Sequence, residues 1–250
     1  MNIFKASNNI FKSSIIFKSK WKPSEINGIL FWGDSTEKNI RKEDNKINLW
    51  LDKSGRINNG YQNITSQKPI FKKNVINGFN ALYFDLAHNI KIDLTLDYFT
   101  VISVIKINND GVLYELGDGV ETETGFKLEG SSSSSINTTL NGDTSTRKNT
   151  DNSTWLSDGS TYKIITHQYN GTHLSHNLYI NNSYISMTTY DDSNPGALSA
   201  TNKILTYGSD SESDNGISGY IFEVLIYDRN LNVSERTKIN DYLKNKYSIV

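Results

Sequence analysis

The sequence predicts an all-β sandwich or barrel that closes with one helix. Three observations carry this. Ten short segments rich in β-branched and aromatic residues are separated by polar turns, with no helices alternating between them. The segment Tyr98–Ile107 (YFTVISVIKI) is apolar on both faces, as a central strand covered on both sides must be. Residues 218–249 read as a strand followed by a capped amphipathic helix.

Residues 1–20 (MNIFKASNNIFKSSIIFKSK) repeat Ile-Phe-Lys at Ile3, Ile10 and Ile16. Those spacings hold neither one helical face nor one strand face. Lys5, Lys12 and Lys18 break every apolar stretch, so the segment lacks the unbroken core of a secretory signal. It reads as an extended arm or an edge strand. A sharper reading makes it an anchor that docks Phe4, Phe11 and Phe17 on a neighbouring subunit. A basic membrane-surface segment is the third option.

The domain proper spans 21–250. It opens at WKPSEINGILFW, where Pro23 and Gly28 punctuate a turn or short helix. Strands are expected at Ile29–Trp32, Ile47–Leu51, Ala81–Asp85, Tyr98–Ile107, Val112–Leu116, Gly125–Glu129, Tyr162–Tyr169, Leu178–Ile185, Lys203–Tyr207 and Tyr220–Asp228. Gly130–Asp158 is polar and nearly devoid of apolar residues. A long structureless loop inside a domain is uncommon, so Ser134–Leu140 is expected as an exposed strand and Asn141–Asp158 as a surface excursion.

In the last strand, Phe222, Val224 and Ile226 are expected on one face, with Glu223 and Tyr227 on the other. Asn232 is placed as N-cap and Glu235 as N3 of a capping box. Ile239, Tyr242, Leu243 and Tyr247 follow at helical spacing as one apolar stripe. Lys238, Lys244 and Lys246 lie toward the negative end of the helix dipole.

This ending (GYIFEVLIYDRNLNVSERTKINDYLKNKY) resembles the end of the concanavalin A-like lectin/glucanase superfamily, and more closely the laminin G-like modules of phage and bacterial surface proteins. Gly28–Trp32 resembles the family's opening strand. Asn48–Gly60 (NLWLDKSGRINNG) resembles its W-x-D-x-S-G-x-x-N turn. Lys68–Asp85, Tyr98–Ile107 and His167–Asn182 resemble later segments, in the family's order. The resemblance covers residues 21–249. It implies a jelly-roll sandwich of two antiparallel sheets with a short C-terminal α-helix, preceded by an extended N-terminal arm.

Composition excludes several functions. The chain has 250 residues, 26 basic and 27 acidic, for a net charge of −1. A nucleic-acid binder needs a clustered basic excess, so none is expected as partner. Cysteine is absent, which excludes disulfides and thiolate chemistry. No apolar run approaches the roughly 18–20 residues that span a bilayer, so membrane insertion is not expected. Asn makes up about one residue in eight, which with abundant Ile and Lys suggests an AT-rich genome.

The site candidates are few. Glycoside hydrolysis needs two carboxylates at a defined separation across a sugar bond. Glu121 and Glu123 come closest and read as solvated surface groups. Glu223 stands without a nearby carboxylate partner and reads as structural. His88, His167, His173 and His176 read as polar surface residues, the last two exposed in a hairpin turn. Trp32 and Trp50 read as core. No cofactor is expected, although the resemblance allows a calcium ion, with acidic loops at Asp118, Asp191-Asp192 and Asp210–Asp214. A sugar would stack on an exposed aromatic ring beside Asn or Asp. Trp155 is the first choice, and Tyr190 beside Asp191 and Asp192 the second.

The expected function is non-catalytic recognition on a surface, with a glycan or host polysaccharide as partner. The missing signal sequence, the absence of Cys and the composition favour a phage virion protein, with the arm holding other virion proteins. A purely structural decoration or assembly protein and a diverged glycoside hydrolase are the alternatives.

Overall fold

A computed structural model describes residues 21–117, 124–131, 135–140, 143–150, 159–171, 175–189, 198, 204–210 and 213–249. The strands in chain order are β1 (Ile29–Asp34), β2 (Ile40–Glu43), β3 (Lys46–Trp50), β4 (Gly60–Tyr61), β5 (Ile70–Ile76) and β6 (Phe79–Asp85). Next come β7 (Ile90–Asp93), β8 (Phe99–Ile107), β9 (Val112–Gly117), β10 (Thr124–Ser131), β11 (Ser135–Leu140) and β12 (Asp143–Thr150). The series ends with β13 (Lys163–Tyr169), β14 (His176–Ile180), β15 (Ser183–Ile185), β16 (Met187–Thr189), β17 (Ile204–Tyr207), β18 (Ser218–Tyr227) and helix α1 (Val233–Tyr247).

Every ladder between these strands is antiparallel. One layer runs β15-β14-β13-β8-β18. The far edge of β18 is shared by β6 along its first half and β1 along its second, with β5 beyond β6. The other layer runs β16-β12-β11-β10-β9-β17-β7-β4-β3-β2. A single bridge, Lys46 to Ile70, joins β3 to β5 where the sheet folds over on itself.

β8 shows why its sequence is apolar on both faces. Phe99, Val101, Ile105 and Ile107 point into the core between the layers. Ile102 and Val104 point outward into a second core, with Phe222, Leu225 and Tyr227 of β18. Ile239, Leu243 and Tyr247 of α1 close that second core. The helix therefore covers the outer face of the two central strands. Its start is as expected: the Asn232 side chain accepts from Glu235 N at 3.0 Å, and Glu235 Oε2 accepts from Asn232 N at 3.0 Å.

Strand β18 departs from simple alternation. Ile221 pairs with Ile105 and Glu223 with Val104, so Phe222 is an extra residue, a β-bulge. The bulge turns both Phe222 and Glu223 toward the helix, while Val224 and Ile226 face the inner core. Were Phe222 instead paired in regular alternation after Ile221, Glu223 would point between the layers. The expected grouping of Phe222 with Val224 and Ile226 is thus corrected.

Other expectations are also revised. Ile136 to Leu140 of β11 are buried rather than exposed, because β10 and β12 flank them. Part of the expected excursion after it is strand β12. Leu178–Ile185 is a tight hairpin, β14 to β15, turned at Asn181 and Asn182, both with positive φ. The arm with Phe4, Phe11 and Phe17 lies outside the described residues.

The W-x-D-x-S-G-x-x-N turn is a clamp. One Asp52 carboxylate accepts from Trp32 N (2.9 Å), Ser54 N (2.7 Å), Ser54 Oγ (2.7 Å) and Asn58 N (3.1 Å). Asn58 Nδ2 donates to Leu30 O at 2.8 Å. The turn thereby fixes β1, and with it Trp32, against the rest of the sheet.

Candidate functional site

The register of β1 on β18 puts Asp34 directly opposite Glu223, on the outer face. Two carboxylates opposed across a ladder repel each other unless a cation intervenes. Lys246, from the last turn of α1, supplies it: its Nζ lies 2.6 Å from Glu223 Oε2 and 3.3 Å from Asp34 Oδ2. Lys53 adds a second ammonium, 2.6 Å from Asp34 Oδ2.

Neutral donors complete the cluster. Trp32 Nε1 donates to Glu223 Oε1 at 2.7 Å, and Tyr247 OH donates to Oε2 at 2.8 Å. Tyr242 OH reaches Oε1 at 3.2 Å, and Asn39 Nδ2 donates to Asp34 Oδ1 at 2.6 Å. Burial by itself would raise the Asp34 carboxyl. The Lys246 and Lys53 charges outweigh it and hold the group well below the usual carboxylate range. Burial likewise works to lower Lys246, and the Glu223 and Asp34 charges outweigh that too, holding the ammonium above its ordinary value.

Above this floor lies a groove of about 680 Å³ between α1 and the sheet. Its apolar walls are Trp21, Trp32, Phe79 and Tyr242. Trp21 meets Tyr242 edge-on, with ring centroids 5.8 Å apart. Lys238 Nζ sits 4.7 Å from the Trp21 centroid and Lys53 Nζ 3.8 Å from that of Trp32. Lys22 and Asn245 complete the rim with Lys246.

The arrangement suits binding better than bond cleavage. A general acid needs a carboxyl whose pKa is raised, and a nucleophile needs room against the sugar carbon. Asp34 is held ionised, Glu223 is buried under Trp32 and Tyr247, and both are paired with lysines. The rings and ammoniums above them are what a ligand would meet.

The sequence did not point to this groove. Glu223 does have a carboxylate neighbour, because strand pairing brings Asp34 to it from 189 positions away (223 − 34). Trp50 is core, as expected, and its Nε1 donates to Asp34 O at 2.9 Å. Trp32 is buried too, but under the helix, at the groove. The usable signal was in α1, whose apolar stripe carries polar heads at Tyr242, Lys246 and Tyr247.

The histidines are also corrected. His167 and His176 are buried in the inner core beside Phe99, Phe126 and Tyr169. Tyr114 OH lies 2.6 Å from His167 Nδ1, and His167 Nε2 lies 2.9 Å from His176 Nδ1. Each ring thus has a hydrogen-bond partner inside the protein. His88 is half-buried. His173, Glu121, Glu123, Asp118, Trp155, Tyr190, Asp191 and Asp192 lie outside the described residues. Among the described residues, no three His, Asp or Glu side chains converge as a metal site, and no helix is long and apolar enough to cross a membrane.

No family model matches the sequence, and no curated protein is similar to it in sequence. Solved structures are similar in fold. The Trypanosoma rangeli sialidase in complex with sialic acid superposes with a TM-score of 0.56 at 11% identity, over 88% of this chain and 33% of that one. The botulinum neurotoxin serotype D ligand binding domain in complex with N-acetylneuraminic acid gives 0.55 at 16% identity, over 88% and 52%. The receptor binding domain of botulinum neurotoxin D gives 0.56 at 15%, over 89% and 54%. This chain therefore spans about a third of the sialidase and half of the toxin domains. At such identities the likeness shows the fold alone, a β-sandwich.

Proposed function

We propose that this chain is a non-catalytic recognition module that binds glycans in the groove beside α1. The observation that carries the reading is the groove wall, where Trp21, Trp32, Phe79 and Tyr242 surround about 680 Å³ with lysines at the rim. Sugars present apolar C–H faces and a polar periphery, so aromatic walls with a few polar groups match them. The ion-paired, buried state of Asp34 and Glu223 supports binding over hydrolysis. The sialic acid complexes of structurally similar proteins are in keeping with a glycan ligand. The ordered segments of residues 21–249 support kinship with laminin G-like modules.

A glycan array with the wild type, Trp21→Ala, Tyr242→Ala and Trp155→Ala tests this. Signal should fall in the first two variants and persist in the third. Loss only in Trp155→Ala would move the site to the stretch around that residue. No glycan signal under any condition would sink the reading, and reducing sugar released from a bound polysaccharide would restore the hydrolase alternative.

We also place the module on the surface of a phage particle, or of a cell, with residues 1–20 as its attachment. Support comes from the apolar triplets of the arm and the AT-rich composition. Deleting residues 1–20 should abolish incorporation into particles and leave the sandwich folded. Particles that still carry the truncated chain would refute the anchor.

A further inference from the structure

We infer that the glycan held by this groove is acidic, a sugar bearing a carboxylate that Lys22 and Lys238 receive. This rests on the reading of the groove as a glycan site and adds the chemical class of the ligand.

The argument is one of local charge. The groove is lined by four lysines and no acidic residue. Two of them are neutralised from below, Lys53 by Asp34 and Lys246 by Glu223 and Asp34. Lys22 and Lys238 remain exposed at the rim, and among the described residues neither has an ion-pair partner. The acids nearest them in sequence are Glu25, Glu235 and Asp241. The Glu25 carboxylate accepts from the backbone N of Lys22 at 2.9 Å, Glu235 is tied to Arg229 at 2.7 and 2.9 Å, and Asp241, three positions after Lys238 on α1, forms no ion pair with it. The whole chain carries −1, so this excess is a feature of one place.

Position adds to charge. Lys238 Nζ stands over the Trp21 ring, so the cation and a stacking surface share one side of the groove. A neutral sugar seated there would offer hydroxyl oxygens to the ammoniums but leave their charge uncompensated. A carboxylate would compensate it with charge-assisted hydrogen bonds. The same reasoning disfavours the protein's own arm as occupant. Residues 1–20 carry Lys5, Lys12, Lys18 and Lys20 with no acidic residue, and would bring like charge to the rim.

Calorimetric titration of the full chain tests the inference. The probes are N-acetylneuraminic acid and oligosaccharides of glucuronic and galacturonic acid, each compared with its methyl ester and with neutral hexose oligosaccharides. At least one acid should bind, with its ester about tenfold weaker or more. The double variant Lys22→Gln/Lys238→Gln should lose the same factor for the acid and little for the ester. Binding of the acid should weaken as salt is raised.

Esters or neutral sugars that bind as well as the acids, or an unchanged double variant, would overturn the acidic ligand while leaving the glycan reading intact. No binding of any sugar would remove both. Equal affinity for polyglutamate would reveal a general polyanion surface and overturn the sugar assignment. Tighter binding after deletion of residues 1–20 would show the arm seated in the groove and overturn the charge argument.

Discussion

Lys246 stands between two buried carboxylates, and its removal isolates what that costs the fold. Lys246→Met keeps most of the side-chain length but leaves Glu223 without its nearest cation. Breaking a buried pair from one side costs ~3–5 kcal/mol, so the urea midpoint should fall accordingly. The pH dependence follows from the directions of the shifts. Asp34 is held below its unfolded value, so its contribution is present above the ordinary carboxylate range and fades as pH drops into strong acid. Lys246 is held above its unfolded value, so its contribution is present below the ordinary lysine range and fades as pH rises past it. A stability profile by urea titration should therefore fall at both extremes, and Lys246→Met should flatten the alkaline fall. At this scale the sequence was partly legible. Trp50 and the capping pair Asn232 and Glu235 were readable from their local patterns. The meaning of Glu223 was not, since its partners come from β1, at the other end of the chain, and from α1.

Among the elements, the bulge at Phe222 has the largest effect for one residue. It lets β18 keep Val224 and Ile226 inward while Glu223 faces the helix. Deleting Phe222 would remove the bulge and its ring while leaving Ile221 and Val224 inward and Glu223 and Leu225 toward the helix, so no other side chain changes face. The variant should still unfold cooperatively, with its urea midpoint lowered by the loss of a buried ring, about 3–5 kcal/mol, whereas Phe222→Leu, which keeps the bulge and part of the packing, should lose less. A deletion variant without a cooperative transition would show that the bulge itself, and not only the ring, holds the sheet together. The long strands and the helix were legible because periodicity and capping are local signals. β2, β4, β7 and β16 were not, being two to four residues each, nor was β5; β11 was expected as a strand but as an exposed one, since its buried Ile136 and Leu140 are the only apolar residues of a polar run, and β12 was hidden by a sequence without apolar residues.

For the molecule as a whole, the central sheet is covered on both sides, and this buries tyrosines in two separate cores. Burial pushes the Tyr169 phenol up to about 12, and raises Tyr114, Tyr207, Tyr227, Tyr242 and Tyr247 as well. A phenol with a raised folded value favours the folded state less and less as pH climbs through its unfolded value near ~10. Ultraviolet titration should then show one set of tyrosines ionising reversibly near that pH. A second set should ionise at higher pH, together with loss of the far-ultraviolet strand signal. Ionisation of all 14 tyrosines in one early step would contradict the two cores. That the chain is a sandwich was readable from the run of strands; which face carries the groove was not, because it depends on where the last helix docks. That docking also fixes the timing of assembly. Lys246 meets Asp34 across 212 positions and Trp32 meets Glu223 across 191. On a ribosome the groove cannot exist until the last turn of α1 has left the exit tunnel, so a nascent chain in which Lys246 is still enclosed carries the first tryptophan wall with nothing opposite it.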